Sequence, residues 1–148
     1  MKFIKKPIAL PSNYRFFYQI SILLLILNLC STKNTGASTL KLQLLAWALR
    51  DDEGCESLMK ITKLKDAKHN FNFWALDPAL NRAIEFALAD GFLKLKKEKL
   101  ISTPKGDIFL SYILETNDIF THEKEILRNF EKSVTETFVN TVLKNENA

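Results

Sequence analysis

Residues 77–106, DPALNRAIEFALADGFLKLKKEKLISTPKG, carry start and stop signals for consecutive elements. Asp77 can cap a helix through its carboxylate, Pro78 suits the first helical turn, and Gly91 supplies the left-handed residue on which a helix ends. One helix is therefore expected from Pro78 to Asp90. Leu80, Ala83, Ile84, Ala87 and Leu88 recur at helical spacing and form its core face, leaving Asn81, Arg82, Glu85 and Asp90 outside. FLKLKK then alternates apolar and basic residues, KLIS returns the same way, and Thr103 with Pro104 opens another helix. The order is helix, hairpin, helix.

A chain of 148 residues suits one domain of ordinary size, and an apolar fraction of 47% is enough for a packed core. The formal net charge of +4 allows contact with an acidic partner, and much of the surplus lies at the N-terminus and in the hairpin. Cys30 and Cys55 stand far apart with no CxxC and no neighbouring His. Neither a zinc site nor a disulfide framework is indicated, and a reducing cytoplasm fits best.

The chain begins MKFIKKPIALPSNYRFFYQISILLLILNLC, where basic residues precede an apolar run as in a targeting segment. A lipoprotein signal needs a small residue before its cysteine, yet Leu29 precedes Cys30. The uninterrupted run from Ile22 to Leu27 is also far short of the ~20 residues that span a bilayer. The expectation is a buried first helix, capped near Ser12, with Phe16, Phe17, Ile20, Leu23, Leu24 and Leu27 in the core and no membrane partner. A secreted, signal-bearing protein is the alternative.

STKNTGAS is a polar loop, after which Ser38 caps TLKLQLLAWALRD. In that helix Leu40, Leu44, Leu45, Trp47, Ala48 and Leu49 face inward, leaving Lys41, Gln43 and Arg50 for solvent. A third helical piece covers Cys55 to Leu64, with Leu58, Ile61 and Leu64 inside. KDAKHNFNFW is then a loop whose Phe71, Phe73 and Trp74 anchor it to the core or stack on bases.

After the hairpin, Ile108, Phe109, Tyr112 and Ile113 continue a helix that ends near ETND. From Ile119 to Leu143, Ile126, Leu127, Phe130, Val134, Phe138 and Val142 follow steps of three or four, with no proline or glycine between. A single helix of about 25 residues is roughly 37 Å long, more than a small domain usually covers. Its stripe of Ile126, Phe130, Val134, Phe138 and Val142 then either docks a partner chain or folds back across the first helix. Residues 1–116 would form the main domain and 117–148 this long C-terminal helix.

Catalytic and metal-binding motifs are absent from the sequence. His69 and His122 lie in unrelated contexts, and no P-loop, GxGxxG or GxSxG occurs. THEKE, around His122, Glu123 and Glu125, is more simply a negatively charged first helical turn than an acid–base cluster. No cofactor, metal or enzymatic activity is expected. The hairpin is the strongest functional hint: Lys94 and Lys96 alternate with Leu93 and Leu95 and share the face opposite the core, while Lys97, Lys99 and Lys105 surround the tip. With Arg82, they form a candidate set for DNA-backbone phosphates. Ordinary solvated lysines blunting an edge strand are the alternative. Glu85 and Asp90 on the preceding helix oppose sequence-specific groove reading, because carboxylates repel the DNA backbone.

The 77–106 segment resembles the recognition helix, wing and following helix of winged helix-turn-helix domains, with the hydrophobic hairpin followed by TPKG. The resemblance implies a mainly α fold with one β-hairpin wing. More narrowly, RFFYQISILLLILNLC, TLKLQLLAWALR, DPALNRAIEFALADGFLKL and ISTPKG together resemble the small middle components of bacterial three-component ABC-ATPase conflict systems, the group that includes Lamassu-type defence. That resemblance implies a non-catalytic adaptor linking an SMC-like ABC ATPase to an effector subunit in a complex that senses foreign DNA. The competing expectation is a winged-helix transcriptional regulator, forming a homodimer through its C-terminal helix.

Overall fold

The protein, seen here in a computed structural model, is described for residues 12–32, 34–50, 52–64, 77–115 and 120–147, the side chains of 12–16, 63–64 and 143–147 excepted. In chain order the elements are α1 (Ser12–Cys30), α2 (Thr39–Arg50), α3 (Asp52–Leu64), α4 (Pro78–Ala89), β1 (Leu93–Lys96), β2 (Lys99–Ser102), α5 (Pro104–Glu115), α6 (Thr121–Arg128) and α7 (Glu136–Asn147). The fold is mainly helical with one antiparallel hairpin.

α1 is the central element because its middle has no polar face. Every residue from Ile20 to Leu27 is buried, and the helix packs against α2, α4, α5, α6 and β2. Ser21, the one hydroxyl in that run, donates back to the Phe17 carbonyl at 2.7 Å and so carries no unmet hydrogen bond into the core. Phe17 itself departs from expectation. It lies at the surface, its ring edge-on to Phe109 with centroids 5.4 Å apart. The side chains of Phe16 and Leu64, and all of His69, Phe71, Phe73 and Trp74, lie outside the described residues.

The signals at the ends of α4 operate as the local chemistry requires. Asp77 Oδ1 accepts the Ala79 N–H at 3.0 Å, and Pro78 occupies the first turn. At the other end Phe92 N–H bonds the Ala87 carbonyl and Gly91 N–H the Leu88 carbonyl, with Gly91 at φ 85°. This paired closure satisfies two terminal carbonyls and turns the chain directly into β1. Thr103 then caps α5 through the Gly106 N–H at 3.1 Å, while its own N–H returns to the Phe92 carbonyl. Helix, hairpin and next helix are thus stitched end to end.

α2 begins where Ser38 Oγ accepts the Lys41 N–H, at 3.1 Å. Its faces differ from the expected ones: Lys41 and Gln43 are buried, and Leu40 is exposed. The reason for Gln43 is tertiary. Its Nε2 donates to the Asp77 carbonyl at 3.1 Å and to Asn81 Oδ1 at 2.9 Å, while its Oε1 accepts the Asp77 N–H at 2.9 Å. Arg50 adds an ion pair to Asp77 Oδ2 at 2.8 Å. One face of α2 therefore holds the first turn of α4. α3 starts at Asp52, a turn earlier than expected, and buries Leu58 and Ile61.

The single long C-terminal helix does not form. The chain breaks between Arg128 and Glu136 into α6 and α7. Asn129 and Phe130 bond back only three residues, to Ile126 and Leu127, which tightens and ends α6. Thr135 then caps α7 by accepting the Phe138 N–H on its Oγ1 at 3.1 Å. The break folds both helices onto the centre, α6 against α1 and α2, and α7 against α2. Leu127, Phe130, Val134, Val139 and Val142 are all buried in the same core as Ile20 and Leu24, and Ile126 and Phe138 pack on its edge. The proposed docking stripe is thus core, continuous with residues before 116.

Candidate functional site: the lysine hairpin

β1 and β2 pair in the register Leu93↔Ser102, Lys94↔Ile101, Leu95↔Leu100 and Lys96↔Lys99. Directly opposed residues share a face, so Lys94, Lys96 and Lys99 lie together with Ile101, and Leu95 lies with Leu93 and Leu100. The tip residues Lys97 and Glu98 both have positive φ, 53° and 68°. That is the two-residue turn whose twist matches a hairpin, built here without glycine or asparagine.

The hairpin is anchored at its base. Ala37, in the loop after α1, exchanges hydrogen bonds with Leu100 at 3.0 and 2.8 Å. Gly36 makes this approach possible: it sits at φ 69°, and a Cβ there would collide with the Leu100 carbonyl oxygen. Beyond that anchor the strands leave the core. Leu93 and Leu100 are buried, but Leu95 is 63% exposed, so the apolar face expected for β1 holds at its base alone.

The expected phosphate-binding residues fall into three groups. Lys94, Lys96 and Lys97 are exposed on the hairpin, and Arg82 is exposed on α4. Lys105 is committed elsewhere: its Nζ donates to the Asp90 carbonyl at 2.8 Å, lies 3.4 Å from Asp90 Oδ2, and stands 4.8 Å from the Phe92 ring centroid. It serves the C-terminus of α4, where a cation is favoured. Lys99 is half-buried and lines a cleft of about 510 Å³ with Lys41, a residue the sequence pattern assigned to solvent. On α4, Glu85 and Asp90 are exposed beside Arg82, as the helical spacing predicts.

The THEKE segment is tied into the fold. Tyr18 on α1 donates to Glu123 Oε2 at 3.2 Å, and burial, aided by that carboxylate, pushes its phenol up to about 12. Lys124 is buried and donates to the Ile113 carbonyl at 3.4 Å. Cys30 is a free thiol that donates to the Leu127 carbonyl at 3.4 Å, and burial pushes its pKa up to about 12. Cys55 is also free, its thiol raised by burial and then by Asp52 and Glu56. Among the described residues no three His, Cys, Asp or Glu side chains are grouped to hold a metal ion, and no helix is long and apolar enough to cross a membrane.

Comparison of the chain with protein-family models, with curated proteins and with solved structures finds no match.

Proposed function

We propose that this chain is a winged-helix module that contacts duplex DNA through its hairpin, without sequence preference, and acts as a non-catalytic adaptor. The observation that carries the reading is the hairpin itself: Lys94, Lys96 and Lys97 are exposed on a projecting ribbon whose base is fixed by the Ala37–Leu100 pairing. Ammonium groups held away from the core can neutralise phosphates and release counterions. The winged-helix assignment is supported by the α4–β1–β2–α5 succession and by that third short pairing beside the hairpin. Glu85 and Asp90 on α4 disfavour insertion of this helix into a groove, which supports backbone contact over base reading.

The adaptor role, between an SMC-like ABC ATPase and an effector in defence against foreign DNA, rests on the resemblance to the middle components described above. The burial of Phe130, Val134 and Val142 within the chain lends no support to a dimer through that stripe, which favours the adaptor over the regulator reading.

Changing Lys94, Lys96 and Lys97 together to Glu tests the DNA reading. Fluorescence anisotropy with two unrelated duplexes should show equal affinity for the unaltered chain and a slope of log K against log salt of about −0.9 per neutralised phosphate. The triple variant should bind more weakly with a flatter slope. A tight footprint on one sequence, or binding indifferent to salt, refutes the reading.

A further inference from the structure

The cleft beside the hairpin holds a cation in an unfavourable place. Lys41 is only 5% exposed and sits in the first turn of α2, where the helix dipole repels positive charge. Burial lowers its pKa, Glu136 raises it, and the neighbouring Lys99 lowers it again. Glu136, the carboxylate that favours the charged lysine, also accepts the Ser38 N–H on its Oε2 at 2.9 Å. Among the described residues, no carboxylate lies within 4.0 Å of the Lys41 ammonium.

The remaining walls of the cleft suit an oxyanion. Lys99 comes from β2 and Lys132 from the α6–α7 connection, and Thr32 and Thr35 bring two hydroxyls that share a 2.6 Å hydrogen bond. Two hydroxyls sharing one bond leave one O–H free to donate. Among the described residues, the lining includes three lysines, Lys41, Lys99 and Lys132, and two glutamates, Glu131 and Glu136. Among the described lining residues positive charge is in excess, which favours an anion such as a phosphodiester.

The hairpin register supplies the direction. Lys99 shares its strand face with Lys96 and Lys94, so the cleft continues the basic track of the hairpin into the body of the protein. We propose that the cleft between the α1–α2 loop, β2 and the α6–α7 connection seats one backbone phosphodiester of a nucleic-acid strand that also crosses Lys94 and Lys96, with Lys41 and Lys99 as its cationic contacts. The inference rests on the DNA reading above and adds a second, recessed contact to it.

The test uses the full chain, a labelled 20-base-pair duplex and a salt series, with Lys41→Met and Lys99→Gln as variants. Each should flatten the log K–log salt slope by about 0.9, one phosphate contact, and weaken binding at low salt. Thermal melting verifies folding, and Lys99→Gln, on a half-exposed strand residue, keeps the test open should Lys41→Met misfold. If both variants retain the wild-type slope while Lys94→Glu with Lys96→Glu flattens it, the cleft proposal fails and the hairpin reading stands. If the unaltered chain does not bind duplex, both fail. A dinucleotide with a single phosphodiester binding as tightly as the duplex would overturn the backbone assignment in favour of a soluble nucleotide.

Discussion

Replacing Gln43 by leucine keeps the side-chain volume near constant and deletes the polar link between α2 and α4. Three hydrogen bonds disappear: two donated to the Asp77 carbonyl and Asn81 Oδ1, and one accepted from the Asp77 N–H. A typical net bond is worth about 1 kcal/mol, and a buried group left without a partner costs about 1–3 kcal/mol. Gln43 is fully buried, whereas Asp77 and Asn81 are half-buried and recover part of the loss from water. The expected destabilisation is therefore about 2–4 kcal/mol, a large share of the ~5–15 kcal/mol typical of a whole domain. Urea denaturation followed by circular dichroism should show a lower midpoint with an unchanged slope, the mark of altered stability in an unaltered fold. Arg50→Gln is the internal contrast. It removes an exposed ion pair to the same Asp77, worth at most about 1 kcal/mol. Gln43→Leu within 1 kcal/mol of wild type, or no worse than Arg50→Gln, would refute the idea that this side chain holds α4 in place.

At the hairpin tip, Glu98→Gly should stabilise the fold by about 1 kcal/mol, because φ 68° strains any residue with a Cβ and glycine adopts it freely; a lowered melting temperature would count against the turn geometry. Alkaline pH should destabilise the protein through Cys30, Tyr18 and Cys55, the last also raised by burial. Cys30 is raised from 9.0 to about 12 and Tyr18 from 10.0 to about 12, so each stays protonated in the fold after it has ionised in the unfolded chain. Stability then falls as pH rises through those windows, at up to about 1.4 kcal/mol per pH unit for one proton. Lys41 acts with the opposite sign, its lowered pKa giving a gain as pH approaches 10.5. Chemical denaturation from pH 8 to 11 should therefore show the decline starting near 9.0 in wild type and near 10.0 when Cys30→Ala and Cys55→Ala are combined, an onset unmoved by the double substitution excluding the two thiols as its cause.

Elements whose limits depend on near neighbours are legible in the sequence. Asp77, Pro78 and Gly91 bound α4 through bonds to residues two to five positions away. Thr103 and Ser38 cap their helices in the same local way. What escaped pattern reading depends on contacts distant in sequence. Gln43 reads as a solvent residue because its partners lie 34 and 38 positions on. The break before α7 did carry a local signal: Thr135 is a good capping residue and sits three before the Phe138 N–H it accepts. The unbroken apolar spacing on either side outweighs it, because neither proline nor glycine interrupts residues 119–143.

The functional surface divides along the same line. Alternation of lysine with leucine was enough to find the hairpin, because strand period alone decides which residues share a face. It could not tell which lysines remain available. Lys105 is taken up by the Asp90 carbonyl and the Phe92 ring, a consequence of α5 starting beside the end of α4. Lys41, lying on a helix among leucines, carries no sequence sign of its fate, yet the fold drives it into the cleft beside Lys99. A lysine kept in a buried first turn weakens the helix it belongs to. An anion seated between Lys41 and Lys99 offsets that cost at both residues together, which is why the cleft, and not the more exposed tip, is where binding should couple most strongly to stability.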